Sequence, residues 1–240
     1  MAESRPRTVD LAGETIEYEV RHSSRATRSR LSVDTSGVTV VVPEGASVRP
    51  AALLRDHAEW VVEHARKAAA RRERLPERRF EPGATFPFLG EPHEVVVERR
   101  SYSVVGDETL RLASHHVADT SVKRALETLY RRRARDRFER LADEYAAAMG
   151  VDYDRIEVRN QRTKWGSCST SGTISLNWRL QLAPPEIGEY VVVHEVAHRR
   201  ELNHSPAFWD LVGEHDPAYE RHRAWLADNG LQLIFSEEDL

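Results

Sequence analysis

Tyr190-Val191-Val192-Val193-His194-Glu195-Val196-Ala197-His198 is the stretch on which the reading of this chain turns. The apolar run ahead of the first histidine predicts a helix buried on most of its sides. On such a helix His194 and His198 stand one turn apart on one face. Two neutral imidazoles in that position suit a single borderline-soft cation such as Zn²⁺, leaving room for a third protein ligand and a water, the open arrangement of a hydrolytic site. Glu195 is turned roughly 100° from His194 around the helix. It can therefore reach the water without being used as a ligand, which makes it the natural general base.

His204 follows just ahead of Ser205-Pro206. Ser205 can cap a new helix with proline in its first turn. The chain must therefore turn at Leu202-Asn203, where asparagine tolerates a left-handed conformation, and His204 can swing back to the metal. A surface-loop histidine is the rival reading, with Glu214 or Glu220 as substitute third ligand from the helices that follow.

Outward from this stretch, 240 residues with 31% charged and 40% apolar side chains describe a globular chain able to bury a sizeable core. A net charge of −4 gives no overall electrostatic case for a nucleic-acid or membrane partner. The single cysteine excludes an intrachain disulfide and fits a reducing compartment. Without a signal-like or membrane-spanning apolar run, the expected location is cytoplasmic.

Upstream, residues 1–13 read as a polar, frayed end, and Thr15 to Val20 as a half-buried strand. Arg28 to Asp34 and Val38 to Pro43 form a hairpin about Thr35-Ser36-Gly37. Ser47 opens one helix bearing Leu53, Leu54, His57, Trp60, Val61 and His64, its histidines structural. Glu94 to Glu98 and Thr109 to Leu112 are two further strands joined through Gly106-Asp107. Thr120 caps a long helix ended by Gly150. Its arginine-rich face, including Arg131, Arg132 and Arg135, is a candidate for phosphate contact with a nucleic acid.

Arg155 to Asn160 and Thr173 to Leu182 then read as a second hairpin leading through Pro184-Pro185 into the histidine helix. Gln161 to Cys168 lies between these strands, and Arg162 and Lys164 are its candidates for stabilising negative charge or binding substrate. Tyr219 to Leu226 is a last helix, after which a strand and an acidic tail are expected. The fold class is α+β: a β-rich amino-terminal part with a helix over 1–118, then a helical core with a β-hairpin over 119–240.

Arg162-x-Lys164-Trp165-Gly166-Ser167-Cys168, Ile174-x-Leu176-Asn177, the histidine stretch and Asn203-His204-Ser205-x-x-Phe208-Trp209 together resemble the YgjP-like metallopeptidase family. Weaker similarity runs upstream through Arg28 to Val33, Val38 to Pro43 and the Trp60 helix, so the resemblance covers about 16–230. It implies a zincin-like core, distantly SprT-like, in which His194, His198 and His204 bind Zn²⁺ and Glu195 is catalytic. The implied activity is zinc-dependent hydrolysis of a peptide or protein substrate. Some family members are described as nucleoside triphosphate pyrophosphatases, and the SprT-like analogy suggests a nucleic-acid-associated protease. Lys164 stands where the family usually carries arginine, and lysine would weaken any bidentate contact there.

Overall fold

The computed structural model describes residues 7–34 and 36–239. The expected fraying of residues 1–6 and the Thr35 position of the first hairpin turn lie outside the described residues. The chain divides into two compact units, one ending at Leu75 and one spanning Pro76–Asp239.

In the first unit β1 (Arg7–Leu11), β2 (Glu14–Ser23), β3 (Arg30–Asp34) and β4 (Gly37–Pro43) form a sheet of order β1-β2-β4-β3. Residues 7–11 are thus a paired strand rather than part of a frayed end, because Val9 and Leu11 are buried against the sheet's own core. The β3–β4 hairpin forms as expected, and β4 also pairs in parallel with β2. Two helices follow instead of one, α1 (Pro50–Asp56) and α2 (Ala58–Glu73). They break at His57, whose φ of −123° leaves helical geometry, and Arg49 rather than Ser47 takes the N-cap position. Val38, Val40 and Val42 alternate inward from β4 onto Leu54, Val61 and Val62. His64 uses its Nδ1 on the Trp60 carbonyl, 2.8 Å away, and stacks on the Trp60 ring, a structural role.

The second unit opens with β5 (Thr85–Phe88), β6 (Glu91–Glu98), β7 (Val104–Val105) and β8 (Thr109–Ala113). Their order, β5-β6-β8-β7, and their strand directions repeat those of the first sheet. Each sheet starts with a hairpin whose two turn residues both have positive φ, Ala12-Gly13 at 46° and 87° and Leu89-Gly90 at 51° and 84°. That is the geometry of the tight hairpin turn whose twist matches the strands. Alanine and leucine are poor residues for it, so the sequence carries only half of the usual turn signal.

Next come α3 (Ser114–Asp119) and the long α4 (Val122–Met149). Ser121, not Thr120, caps α4, accepting from the Arg124 amide at 3.2 Å, while the Thr120 hydroxyl donates back to the His116 carbonyl. Gly150, at φ 65°, ends it. Its inward stripe, including Leu126, Tyr130, Phe138 and Met149, makes the spine of the larger core.

Three strands follow: β9 (Arg155–Arg159), β10 (Gly166–Cys168) and β11 (Thr173–Asn177). The sheet order is β10-β11-β9, with β9 and β11 parallel. The expected hairpin between β9 and β11 is therefore replaced by one between β10 and β11, about Ser169 to Gly172. The strand also stops at Asn177, because Trp178–Leu182 tighten into a 3₁₀ turn. After it come α5 (Pro185–Ala197), α6 (Pro206–His215) and α7 (Tyr219–Asn229). The β5–β6 turn steadies the entry to α5: the Leu89 amide donates to the Gln181 carbonyl at 2.7 Å, and a Cβ on Gly90 would meet Pro184 at 3.0 Å. The expected final strand is absent among the described residues. In its place are two 3₁₀ turns, Gly230–Leu233 and Glu237–Asp239, with Phe235 packed among Phe80, Phe86, Tyr130 and Trp178.

Candidate metal centre and active site

α5 is buried on most of its surface, packed by α4, α6, α7 and β10. It ends at Ala197, so His198 occupies its C-cap, and the Arg199, Arg200 and Glu201 amides close the last turn onto Val196 and Ala197. The reversal that returns the chain does not use a left-handed Asn203. Among the described residues only Ala12 and Leu89 are non-glycine residues with positive φ, and the Ser205 amide instead folds back on the Asn203 carbonyl at 2.8 Å. Ser205 caps α6 as expected, accepting from the Phe208 amide at 3.3 Å.

This path brings His194, His198 and His204 together, with one ring nitrogen of each within 4.8 Å of the others. Among the described residues it is the one such group, and neither Glu214 nor Glu220 is part of it. His204 Nε2 lies 3.0 Å from His194 Nε2. His198 Nδ1 sits 3.0 Å from the Glu201 carbonyl, which assigns the proton to Nδ1 and leaves Nε2 as the free lone pair.

Two facing imidazole nitrogens need a cation or a proton between them. Burial, with the other two histidines and Arg223 acting in the same direction, pulls the His194 pKa down to about 3, so the ring is held neutral, the form in which an imidazole can offer a lone pair to a metal. The donor set therefore fits a metal. Zinc–nitrogen bonds of about 2.0–2.1 Å at tetrahedral angles would set two histidine nitrogens roughly 3.3 Å apart, close to the spacing found.

Aromatic rings fix the imidazoles. Phe208, fully buried, stacks on His198 at 4.5 Å between centroids and meets His194 and His204 edge-on. Trp209 stacks on His204, Tyr219 stacks on Trp209, and the Arg223 guanidinium lies 5.1 Å from the Trp209 ring centre. Nothing in the spacing of Phe208 and Trp209 distinguished this duty from ordinary helix packing. Only their position one turn inside a helix that begins beside His204 could have pointed to it.

Glu195 is 5% exposed. Burial raises its carboxyl pKa to about 8, and Lys164 pulls the other way. β10 runs directly over it, and a Cβ on Gly166 would stand 2.5 Å from Glu195 Oε1. A cleft of about 390 Å³ opens here, lined by His194, Glu195, Lys164, Trp165, Tyr190 and Arg223 among others. Arg162 is exposed and does not line this cleft.

The loop from Gln161 to Trp165 is held from beneath by buried polar groups. The Asn177 side-chain amide donates to the Gln161 and Lys164 carbonyls at 2.7 and 3.2 Å, and its backbone amide donates to the Trp165 carbonyl at 2.8 Å. Arg179, 1% exposed, adds a bond to the Gln161 carbonyl at 2.7 Å and lies over the Trp165 ring. The arginine face of α4 is largely engaged within the helix: Arg124, Arg131, Arg133, Arg135 and Arg140 each pair with a carboxylate three or four residues away.

Residues 27–229 match the YgjP-like metallopeptidase domain. The chain belongs to the YgjP-like metallopeptidase family. Membership makes it a metal-dependent hydrolase acting on peptide or protein, and the match takes in β3 and β4 of the first unit as well as the histidine centre. Two solved structures share partial likeness with this YgjP-like chain. One is the metallopeptidase zymogen of Pyrococcus abyssi abylysin, with 20% identity, 40% of this chain and 99% of that chain covered, and a TM-score of 0.36. The other is the metallopeptidase zymogen of Methanocaldococcus jannaschii jannalysin, with 17% identity, 38% and 94% covered, and a TM-score of 0.35. No curated protein matches the chain. Among the described residues no helix is long and apolar enough to cross a membrane.

Proposed function

We propose that the chain is a zinc-dependent peptidase in which His194, His198 and His204 hold the metal and Glu195 is the general base. The observation that carries this reading is the facing pair of Nε2 atoms on His194 and His204, 3.0 Å apart in a three-histidine group beside a buried carboxyl. A zinc ion bound there would supply Lewis acidity towards a carbonyl oxygen and lower the pKa of a coordinated water towards neutrality.

The residues of the chain do the rest. The Glu195 carboxylate takes the proton of the attacking water and returns it to the leaving amine. Its seat against β10 depends on Gly166, where any side chain would collide with the carboxylate. Lys164, in the same cleft, offers positive charge to a developing oxyanion. Arg162 belongs to a more distant part of the same substrate loop.

The test gives zinc-loaded protein a mixed peptide library and, separately, nucleoside triphosphates, with Glu195→Gln as control for contaminating enzymes. Peptide cleavage that disappears in Glu195→Gln, with zinc content unchanged, supports the reading. Pyrophosphate release that needs Glu195, with no peptide cleaved, replaces it by nucleotide hydrolysis at the same centre.

A further inference from the structure

The cleft beside Glu195 has two cations on its walls and one carboxylate, Glu195 itself. Lys164 comes from the loop under β10, and Arg223 comes from the first half of α7, so two unrelated segments place positive charge at one opening. Both side chains are exposed. Among the described residues neither forms an ion pair with a carboxylate. Arg223 is instead laid along the Trp209 ring, which is itself stacked on His204. A guanidinium seated over an indole face is positioned by the ring and still has N–H donors to offer a ligand.

The same cleft also has apolar lining, from Trp165, Val191, Leu226 and the Tyr190 ring. An aliphatic stem can be buried there, whereas a multiply charged phosphate would lose more hydration against the same walls than a single carboxylate does for the same two cations. The α4 arginines make a useful contrast, since they lie among helical acids that neutralise them.

We propose that Lys164 and Arg223 form a carboxylate-binding subsite, so that the preferred substrate presents a negatively charged carboxylate next to the scissile bond, from an acidic side chain or from a free carboxy terminus. Arg223 is the specificity-determining residue of the pair, because its stacking on Trp209 ties it to the histidine centre. The substrate class rests on the peptidase reading, but occupancy of the subsite is measurable without turnover.

The experiment uses the full chain carrying Glu195→Gln and follows tryptophan fluorescence as peptides bind. Three peptides of one sequence are compared: blocked at both ends with one Glu, the same with Gln, and the Gln peptide with a free carboxy terminus. Charge-assisted hydrogen bonds predict that one of the two carboxylate-bearing peptides binds about tenfold to a hundredfold more tightly than the neutral one at low salt, and which one identifies the source. Raising the salt should shrink the difference. Arg223→Glu should abolish it and favour a peptide with Lys at the same position, a gain that misfolding cannot produce. Lys164→Gln should reduce it.

Equal affinity for neutral and acidic peptides overturns the subsite, as does a preference unchanged by both substitutions. A nucleoside triphosphate that outcompetes all three peptides, and does so only with Arg223 intact, overturns it in favour of phosphate. Failure of the peptidase reading looks different: the wild type cleaves none of the peptides while the carboxylate preference and its loss on Arg223→Glu persist.

Discussion

Gly166 lies against Glu195 so closely that a side chain of even one carbon would stand 2.5 Å from Oε1 and 2.7 Å from Cγ. The glycine is required for close approach and not for backbone freedom, since its φ is not in the left-handed region. Gly166→Ala is therefore expected to push the carboxylate aside while leaving the histidines in place, since the three atoms nearest the added carbon all belong to Glu195. A displacement on the order of 1 Å in a catalytic group costs about a hundredfold in rate. The expected outcome is a fall in kcat of that size with metal content unchanged by atomic absorption. Wild-type kcat, or lost metal, would remove this role from Gly166.

The ligand set makes a second prediction. His204→Ala is expected to lower bound zinc sharply, because it removes one of the three nitrogens that converge. Glu214→Ala is expected to leave it unaltered. Retention of zinc by the first and loss by the second would reverse the assignment. Ser205→Ala, which removes the α6 cap, should cost about 1 kcal/mol of stability and leave the metal in place.

The metal-free protein should have a two-sided pH profile. His194 is held neutral by burial, with its pKa near 3 against an ordinary 6.5. As pH falls below about 6.5 the unfolded chain takes up this proton first, so the contribution of His194 is complete above that pH and declines towards 3. Glu195 runs the other way, with its pKa raised from 4.5 to about 8. The folded chain keeps a proton that the unfolded chain has released, so its contribution is complete below about 4.5 and is lost as pH rises through 8. Together they give a plateau between about 4.5 and 6.5, with stability falling on both sides. Thermal melts of metal-free wild type and Glu195→Gln read this out: the substitution should flatten the alkaline side and let the acid decline begin at about 6.5 in place of 4.5. An alkaline decline that survives in Glu195→Gln belongs to other groups.

The convergence of the three histidines was legible because its signals are local: histidines one helical turn apart, then a Ser-Pro helix start. The sheets were less so. Parallel pairing of β9 with β11 depends on Gln161 to Trp165 crossing beneath the sheet, and that crossing is set by Asn177 and Arg179, buried polar residues whose partners are distant carbonyls. Alternation along Arg155 to Asn160 shows a strand but not the direction of its neighbour. Ala12 and Leu89, each forced to positive φ ahead of a glycine, hid two tight hairpins, and with them the repeated strand order of the two four-stranded sheets. The carboxy-terminal segment misled for a related reason: Asp239 reads as tail but is 3% exposed, accepting from the Phe235 and Ser236 amides.

That segment leads to the last prediction. Asp239 Oδ1 accepts from the Asn160 side chain at 2.6 Å, and its charge supports buried Arg179, which with Asn177 holds the Gln161 and Lys164 carbonyls. Residues 230–239 lie beyond the matched family domain, yet they brace the loop that carries Lys164 and leads into Gly166. Asn177→Ala leaves the Lys164 carbonyl without this donor, leaves the Gln161 carbonyl only its bond from Arg179, and takes an acceptor from Arg179, each group left unsatisfied costing about 1–3 kcal/mol. Asp239→Asn keeps the shape and removes the charge, so its effect should be milder and in the same place. Both are expected to speed amide hydrogen exchange in residues 160–166 and to raise KM for a peptide substrate, with zinc content and exchange in α5 unchanged. Uniform acceleration across the second unit would mean that these residues support the core as a whole, and unchanged exchange in the loop would mean that they do not brace it.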